Sequence, residues 1–472
     1  ATGSAPWLDR VSRGDAGVFM AEPPAMFFRT AGTTGAPKAL PATTTAMATS
    51  RGPAMYALWG NFLAFHPELL DSDHATIDLH WDRRPTSETL GGIAVQSMAQ
   101  RHGVLHPDDF TPPWYDAPWF RPQPEIADFA DRLYDKIRFF AAHDVRAVAS
   151  INPVTLHLFA ETLARNTDRL IEELRTGASA DVPLADRLRA AANARDGRLL
   201  PVDVWPHITF VGCRKSATAA LYLPRLPQLF GAHVDVLPYS TAGAECSQAI
   251  PVDRHATAGI AALRSAFLEY LPAAEAWRAD SPTCLVHELE LGAEYQTVLT
   301  TPDGLYRYAI GDTFQVVGFL GRAPQLEYRG RVGRVSSMVG EQLTEPQIVD
   351  AGLLVARRFG LDLAMFACCP RPLPRPHYVF AMETSERSGA IHAVATALDA
   401  ALMAANPTYR AARGAGELAE ATVEHVEPGA FHDHWLGSVR RGRGTIQLQI
   451  QPLQKDDAIV RLLAEDRPVC AE

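Results

Sequence analysis

Apolar residues recur every three or four positions in several stretches of the chain, which is the spacing of an amphipathic helix. One predicted helix starts at Glu125. A second is predicted from Asn152-Pro153 to Gly177, because Asn152 can cap a helix that Pro153 begins and Gly177 can end it. The apolar faces of these helices consist of Ile126, Phe129, Leu133, Ile137 and Phe140 in the first, and Leu156, Phe159, Leu163, Leu170 and Leu174 in the second.

Shorter apolar runs, separated by Gly, Pro and Asp, predict β-strands between residues 208 and 328. A further helix is expected from Thr257 to Leu271 within this region. The strands are expected at Ile208–Val211, Val234–Leu237, Cys284–Leu289, Thr297–Thr300, Gln315–Phe319 and Gln325–Tyr328. A mixture of this kind predicts an α/β domain in which helices pack on sheets.

The pattern changes after Gly330-Arg331, where helices and strands alternate in a smaller unit. We therefore expect two domains, residues 1–335 and residues 336–472, the second being α+β. Its expected helices are Pro346–Arg358, Ile391–Ala404 and Asp457–Leu463, and its expected strands are Tyr378–Met382, Ala421–Val426 and Thr445–Gln451.

Composition narrows the possible functions of the 472-residue chain. Hydrophobic residues make up 47% and the net charge is −10, so there is no positive surplus for coating a nucleic acid. The six cysteines form no C-x-x-C pair, no secretory signal is expected at the N-terminus, and no apolar run is long enough to cross a bilayer. We expect a cytoplasmic protein without a membrane or nucleic-acid partner.

One short stretch, Thr30-Ala31-Gly32-Thr33-Thr34-Gly35-Ala36-Pro37-Lys38, has the residues that a phosphate site needs. Glycines let the backbone approach a ligand, threonine hydroxyls and backbone N–H groups donate to phosphate oxygens, and a lysine adds positive charge. The spacing differs from that of a Walker A loop. It resembles the phosphate loop of the adenylate-forming superfamily; the alternative interpretation is a Thr/Gly-rich surface loop.

Two later stretches supply carboxylates. Glu245 closes the run Tyr239–Glu245 after a predicted strand, where it could hold Mg²⁺ beside a triphosphate or serve only as a surface glutamate. Asp312 closes Gly304–Asp312; its carboxylate could accept hydrogen bonds from a ribose diol or lie in an exposed turn. Tyr306 and Tyr308 are expected on one face of a strand. Near the C-terminus, His432-Asp433-His434 could hold a metal ion, but without a third ligand in view we expect a loop cluster.

Three stretches together resemble the Gretchen Hagen family of acyl acid–amido synthetases: T-A-G-T-T-G-A-P-K-A-L-P, G-A-E-C-S-Q-A-I-P and G-L-Y-R-Y-x-x-G-D. The chain resembles a bacterial-type member of this family. Further agreement comes from Gly340-Glu341, Asn406-Pro407-x-Tyr409 and Pro428-Gly429-Ala430-Phe431. The resemblance implies the adenylate-forming fold, with a large N-terminal α/β domain that contains sheets and a barrel-like subdomain, and a small mobile C-terminal domain.

The resemblance also implies a two-step reaction: a carboxylic acid and ATP form an acyl-AMP, and an amine or amino acid then displaces AMP. Its implied catalytic residues are Lys38, Glu245 and Arg331, with Glu245 as the Mg²⁺ ligand. The residues implied to bind nucleotide are Thr30, Gly32, Thr33, Thr34, Gly35, Ala244, Tyr306, Asp312 and Arg331.

Three positions depart from the family pattern. Ala244 replaces a Ser or Thr, and Gln342 and Gln449 stand where the family has lysines. A neutral amide cannot offset phosphoryl charge as an ammonium does. Either a nearby cation such as Arg440, Arg441, Arg443 or Lys455 supplies the charge, which is our hypothesis, or adenylation is altered or lost. These departures motivate one alternative, a non-catalytic nucleotide or acyl binder. The other alternative is an acyl-CoA ligase of the same superfamily.

Overall fold

The computed structural model describes residues 5–15, 17–18, 20–30, 38–71, 73–79, 87–97, 132–177, 180–361, 363–384, 391–440 and 451–465. Helices in these residues are α1 (Ala5–Ser12), α2 (Thr44–Ala46), α3 (Gly52–Phe65), α4 (Arg132–Phe140), α5 (Pro153–Arg165), α6 (Thr167–Thr176), α7 (Val182–Asn193), α8 (Pro201–Val204), α9 (Leu226–Phe230), α10 (Glu345–Phe359), α11 (Ile391–Ala405), α12 (Pro407–Gly414), α13 (Ala430–Arg440) and α14 (Ala458–Glu465). None of these helices combines the length and apolar character that crossing a bilayer requires.

The N-terminal part contains two small sheets. The first has the order β2-β1-β5-β4 and consists of β1 (Met26–Arg29), β2 (Ala39–Ala42), β4 (Ser87–Glu88) and β5 (Ala94–Ser97). The second is wholly parallel and consists of β3 (Ala75–Asp78), β6 (Val145–Ala149), β7 (Phe210–Cys213) and β8 (Asp235–Pro238). Ligands commonly bind at the carboxyl ends of parallel strands, so this sheet directs attention to the segments after β7 and β8.

The third sheet is antiparallel and has seven strands, in the order β12-β13-β14-β15-β11-β10-β9. It carries the two acidic motifs, and the barrel-like character expected of this region stays a prediction. Its strands are β9 (Thr241–Ala242), β10 (Ser247–Ile250), β11 (Gly259–Ala261), β12 (Phe267–Pro272), β13 (Glu294–Thr300), β14 (Tyr308–Leu320) and β15 (Ala323–Arg331).

The C-terminal part begins with a short ribbon and continues into a three-stranded sheet. The ribbon pairs β16 (Val335–Ser336) with β17 (Leu343–Thr344), and the sheet consists of β18 (Leu363–Arg371), β19 (His377–Thr384) and β20 (Thr422–Val426). Apolar side chains of this sheet and of the helices around the parallel sheet form one continuous core. The predicted boundary between residues 335 and 336 falls within β16 and stays a prediction.

Three predictions of secondary structure between residues 152 and 289 were wrong. The single helix from Asn152 is two helices, because the chain leaves helical geometry at Asn166 (φ −108°, ψ 18°) before α6 begins. The helix expected at Thr257–Leu271 is two separate strands, β11 and β12, which pair with other strands of the sheet. The strand expected at Cys284–Leu289 is a 3-10 turn at Val286–Glu288 beside an isolated bridge from Cys284 to Tyr270.

Pairing with distant strands explains the wrong helix. Phe267–Pro272 pairs with β13 over six residues, and Tyr270 is fully buried in the core of the seven-stranded sheet. These contacts form only in the folded chain, so the local apolar spacing could not reveal them. The start of the first helix at Glu125 lies outside the described residues, as do residues 445–450 of the strand expected at Thr445–Gln451. The predicted helix near Pro346 and the predicted strand near Tyr378 are confirmed.

Replacing Gly259 with alanine tests the assignment of Gly259–Ala261 to strand β11, because the sign of the change in stability differs between a strand and a helix. An added Cβ would lie 2.6 Å from the backbone carbon of Ile250 on the neighbouring strand. We expect the free energy of unfolding to fall by about 1–3 kcal/mol, measured by denaturant titration, because the strand pair must separate.

The matched control is Gly60→Ala on α3, where an added Cβ meets no atom within 4 Å. That change should raise stability by up to about 1 kcal/mol, as alanine does in a helix. An equal gain in the Gly259→Ala variant would contradict the strand assignment.

Candidate nucleotide site

The stretch predicted as a phosphate loop joins the two strands of a hairpin. β1 and β2 pair antiparallel, and the pairing continues at the loop ends, where the Thr30 backbone N–H donates to the Lys38 carbonyl at 2.8 Å. The Lys38 backbone N–H in turn donates to Thr30 Oγ1 at 2.9 Å. The loop is therefore closed at its base, while residues 31–37, including Gly32, Thr33, Thr34 and Gly35, lie outside the described residues.

Lys38 connects this hairpin with the motif that contains Asp312. Its side chain is exposed, and its Nζ lies 3.4 Å from Tyr308 Oη. Tyr308 is the first residue of β14. The expectation that Tyr306 shares a strand face with Tyr308 was wrong, because Tyr306 precedes the strand and is 80% exposed.

Asp312 is buried rather than exposed in a turn. It lies on β14 opposite Arg331 of β15, whose Nε donates to Asp312 Oδ1 at 2.8 Å, and Gln248 Nε2 donates to Asp312 Oδ2 at 2.6 Å. Burial alone would lower the pKa of the Arg331 guanidinium, but the Asp312 carboxylate raises it. The two donors fix the orientation of the Asp312 carboxylate, and each of its oxygens keeps a further lone pair.

Glu245 lies beside this ion pair and is 7% exposed. Burial raises the pKa of Glu245 above its usual range, and the negative charge of Asp312 adds to the increase. Gly243 leaves the space that the carboxylate needs, since a Cβ at residue 243 would lie 2.6 Å from Glu245 Oε2. A desolvated carboxylate fits a single-carboxylate Mg²⁺ site. The described residues contain no cluster of three or more His, Cys, Asp or Glu side chains that could hold a metal ion.

The substitution at Ala244 has a local explanation. The Ala244 side chain packs against a small apolar cluster that includes Phe28 of β1 and Ala42 of β2. A methyl group suits this cluster, whereas a hydroxyl would need a partner there. The Ala244 carbonyl accepts a hydrogen bond from Arg51 at 3.0 Å, so the backbone of residue 244 is held from the N-terminal part of the chain.

A shallow cleft opens after β7 and β8, at the carboxyl ends of the parallel strands. Its walls include Arg214, Tyr239 and Thr241. Arg214 is held by the Ala242 carbonyl at 2.6 Å, and its burial lowers the pKa of the guanidinium. The cleft therefore adjoins the Tyr239–Glu245 motif and lies where α/β sheets commonly bind ligands.

Two further stretches of the resemblance meet near the start of the C-terminal part. The Glu341 carboxylate accepts hydrogen bonds from the backbone N–H groups of Met338 and Val339, and the Glu341 carbonyl accepts from Asn406 Nδ2 at 3.0 Å. Gln342, in place of the family lysine, is exposed and has a positive φ of 47°. Gln449, Arg441 and Arg443 lie outside the described residues.

The cluster at His432-Asp433-His434 was wrongly expected in a loop. These residues lie on α13, and His432 is buried with its Nε2 3.2 Å from Thr162 Oγ1. Asp433 pairs with Arg165 of α5. The cluster thus contacts the N-terminal helices.

Sequence reasoning missed several polar residues that the structure places around the predicted site. Gln248 holds Asp312, and a buried ion pair joins Arg51 to Asp303 at 3.0 Å. A signal for Gln248 was present, because it belongs to the G-A-E-C-S-Q stretch. Arg51 had none, since it follows a Thr- and Ala-rich segment without a motif.

Comparison with known proteins places this arrangement in a family. Successive parts of the chain match the GH3 family N-terminal domain (residues 3–235), the GH3 family central domain (residues 259–331) and the GH3 family C-terminal domain (residues 350–458). The chain belongs to the GH3 family, as the sequence resemblance predicted.

Individual members of the family share about a quarter of their residues with the chain over the matched regions. The chain is 28% identical over 283 residues to the probable indole-3-acetic acid-amido synthetase GH3.6 of Oryza sativa subsp. japonica, a match covering 55% of this chain and 57% of that protein. It is 25% identical over 305 residues to the indole-3-acetic acid-amido synthetase GH3.8 of Oryza sativa subsp. indica, covering 60% of this chain and 49% of that one. The chain thus spans about half the length of these relatives.

The fold is shared with a solved structure of AtGH3.15 acyl acid amido synthetase in complex with 2,4-DB. The TM-score is 0.79 at 18% sequence identity, and the match covers 98% of this chain and 86% of the other. This likeness confirms the predicted adenylate-forming fold, with its larger N-terminal and smaller C-terminal domain.

Proposed function

We propose that the chain is an ATP-dependent acyl acid–amido synthetase, which activates a carboxylic acid as an acyl-AMP and couples it to an amine or amino acid. The observation that carries the proposal is the convergence of three separate motifs. Lys38 at the base of the hairpin contacts Tyr308, the strand of Tyr308 carries Asp312, and Asp312 influences the pKa of Glu245. The names of the rice relatives and of AtGH3.15 support the same activity.

In this proposal ATP extends from the hairpin to the paired strands β14 and β15. Thr30, Gly32, Thr33, Thr34, Gly35 and Lys38 bind the phosphates, and the backbone at Ala244 adjoins them. Asp312 and Arg331 bind the ribose, and Tyr306 is a further contact from the turn before β14.

Catalysis then depends on placement and charge rather than on a covalent nucleophile of the protein. Lys38 and Arg331 offset the negative charge that the α-phosphate gains as the acyl oxygen attacks, and the ordered strands keep the two reactants aligned. Glu245 would hold Mg²⁺, which when bound neutralises charge on the phosphate oxygens. The cations among Arg440, Arg441, Arg443 and Lys455 are proposed to replace the missing lysine charge.

Three further points remain proposals. The domain boundary near residue 335 is supported by the family matches, since the central-domain match ends at residue 331 and the C-terminal match begins at residue 350. Rotation of the C-terminal domain between the two steps, and a cytoplasmic location, are expected from the family resemblance.

The pH dependence of adenylation should report the unusual environment of Glu245. Only the deprotonated carboxylate binds Mg²⁺, and burial raises its pKa, so activity should fall on acidification at a higher pH than an ordinary glutamate would give. Because Mg²⁺ competes with the proton for the carboxylate, a higher Mg²⁺ concentration should move the acid limb of the pH profile, where activity falls, to lower pH. ATP–pyrophosphate exchange measured against pH at two Mg²⁺ concentrations checks this; a limb that does not move would contradict the assignment.

Trapping with hydroxylamine tests the proposed reaction. The chain, ATP, Mg²⁺ and a panel of carboxylic acids should yield a hydroxamate with at least one acid, and a pool of amino acids should then give an amide together with AMP. A thioester formed with coenzyme A and no amide would favour an acyl-CoA ligase. The absence of any hydroxamate or exchange would favour a non-catalytic binder.

A further inference from the structure

A buried ion pair outside the recognised motifs lies between them. Arg51 and Asp303 side chains are 9% and 4% exposed, and Arg51 Nε and Nη2 both donate to Asp303 Oδ2, at 3.2 and 3.0 Å. Removing either partner would leave a charge without its counterion in the protein interior. The pair is separated by about 250 residues of sequence, so it forms only when the sheets have assembled.

The guanidinium of Arg51 contacts two of the predicted nucleotide-binding elements. Nη2 donates to the carbonyls of Ala244 and Glu245, at 3.0 Å each, and so holds the backbone that carries the Glu245 side chain. The guanidinium carbon also lies 4.8 Å from the ring centroid of Phe28, on the strand that enters the phosphate hairpin. An arginine is suited to this task because its planar group presents several donors at fixed angles.

The carboxylate of Asp303 contacts the remaining elements. Its Oδ1 accepts from the Thr43 backbone N–H at 2.9 Å, directly after the strand β2 that leaves the hairpin. Asp303 itself lies in the turn between β13 and β14, one residue before the Gly304–Asp312 motif, and this turn is closed by the Thr301 N–H donating to the Leu305 carbonyl at 2.8 Å. The pair therefore touches the strand β1, the residue that follows β2 and the Glu245 backbone, and Asp303 directly precedes the Asp312 motif.

We infer that Arg51 and Asp303 are positioning residues that hold the phosphate hairpin, the Glu245 carboxylate and the Asp312 strand in one fixed arrangement. This inference rests on the proposed function, because it assigns the pair a part in placing ATP and Mg²⁺. In this role both side chains act through the backbone of residues 43, 244 and 245, to which they are hydrogen-bonded. A purely structural pair would affect folding stability alone.

Arg51→Lys tests the inference because it keeps the charge but cannot span Asp303 and two carbonyls. We expect the KM for ATP and the Mg²⁺ concentration for half-maximal exchange each to rise about tenfold or more, since small displacements at a reacting centre are costly. The KM for the carboxylic acid that the wild-type chain activates best should not change. If both the ATP and Mg²⁺ values stay at wild-type levels while the melting temperature falls, the pair is only structural and the inference is overturned.

Arg413→Lys is the matched control. Arg413 pairs with the buried Asp399 in the C-terminal part, with N–O distances of 3.0 Å, and its side chain is 19% exposed. This variant should lose stability without a change in the KM for ATP or in the Mg²⁺ requirement. The same shifts in the control variant would overturn the assignment to Arg51.

Asp303→Asn provides a second variant if Arg51→Lys does not fold. Asparagine keeps an oxygen for the Thr43 N–H but removes the charge opposite Arg51, so it should shift the same two quantities in the same direction. Calorimetry of the wild-type chain with ATP and Mg²⁺ separates the two possible failures. Absence of nucleotide binding would overturn the proposed function and this inference with it, whereas wild-type binding with unaffected variants would overturn the inference alone.

Discussion

Replacing Glu245 with glutamine is expected to lower ATP–pyrophosphate exchange by about a hundredfold or more, because a metal ion at a transferring phosphoryl group supplies several kcal/mol of charge stabilisation. Glutamine has nearly the same shape but carries no charge. The backbone contact from Arg51 to the residue 245 carbonyl does not involve the side chain and should persist. The variant should therefore fold as the wild type does and need far more Mg²⁺.

Glu383→Gln is the control for this prediction. Glu383 is a second buried glutamate whose pKa burial raises, and it accepts a hydrogen bond from the Gly429 backbone N–H in the C-terminal part. Its replacement should leave exchange at the wild-type level. If both variants lose activity equally, or if Glu245→Gln keeps full exchange at low Mg²⁺, then Glu245 is not the metal ligand.

Replacing Asp312 with asparagine is expected to raise the KM for ATP and to remove the preference for ATP over 2′-deoxy-ATP. A hydrogen bond from a ribose hydroxyl to a charged acceptor is worth about 1.5–3 kcal/mol, so the wild-type chain should prefer ATP by about tenfold to a hundredfold. The asparagine side chain has lost one acceptor oxygen and its charge, and Arg331 then lacks its carboxylate partner. The ratio of kcat/KM for the two nucleotides measures the effect.

Asp399→Asn is the matched control, since Asp399 is a buried aspartate that pairs with Arg413. It should lower stability but keep the wild-type preference between the two nucleotides. Discrimination that survives in Asp312→Asn would show that the ribose is bound elsewhere.

Much of the site could be predicted because its chemistry is concentrated in short motifs. Lys38, Glu245 and Asp312 each stand in a stretch whose residue types suit a nucleotide, and the order of the stretches led to the family. The structure adds that Asp312 is buried and already paired with Arg331. Local sequence could not show this, because the two residues face each other only through the pairing of β14 with β15.

What sequence could not predict depends on contacts between distant segments. The local apolar spacing up to Leu271 predicts a helix, whereas the chain forms a strand there because it pairs with β13, more than twenty residues further along. Arg51 and Asp303 carry no motif, and each would be interpreted alone as an ordinary charged residue. Their burial becomes meaningful only when the backbone of residues 43, 244 and 245 is seen around them.

The most direct test of the proposed function is whether the wild-type chain exchanges labelled pyrophosphate into ATP when a carboxylic acid substrate is present. The convergence of Lys38, Glu245 and Asp312 predicts exchange that requires Mg²⁺ and at least one carboxylic acid of a broad panel, with an acyl-AMP detected by mass spectrometry in the same mixture. Binding of ATP without exchange, and without an acyl-AMP for any acid, would contradict the account.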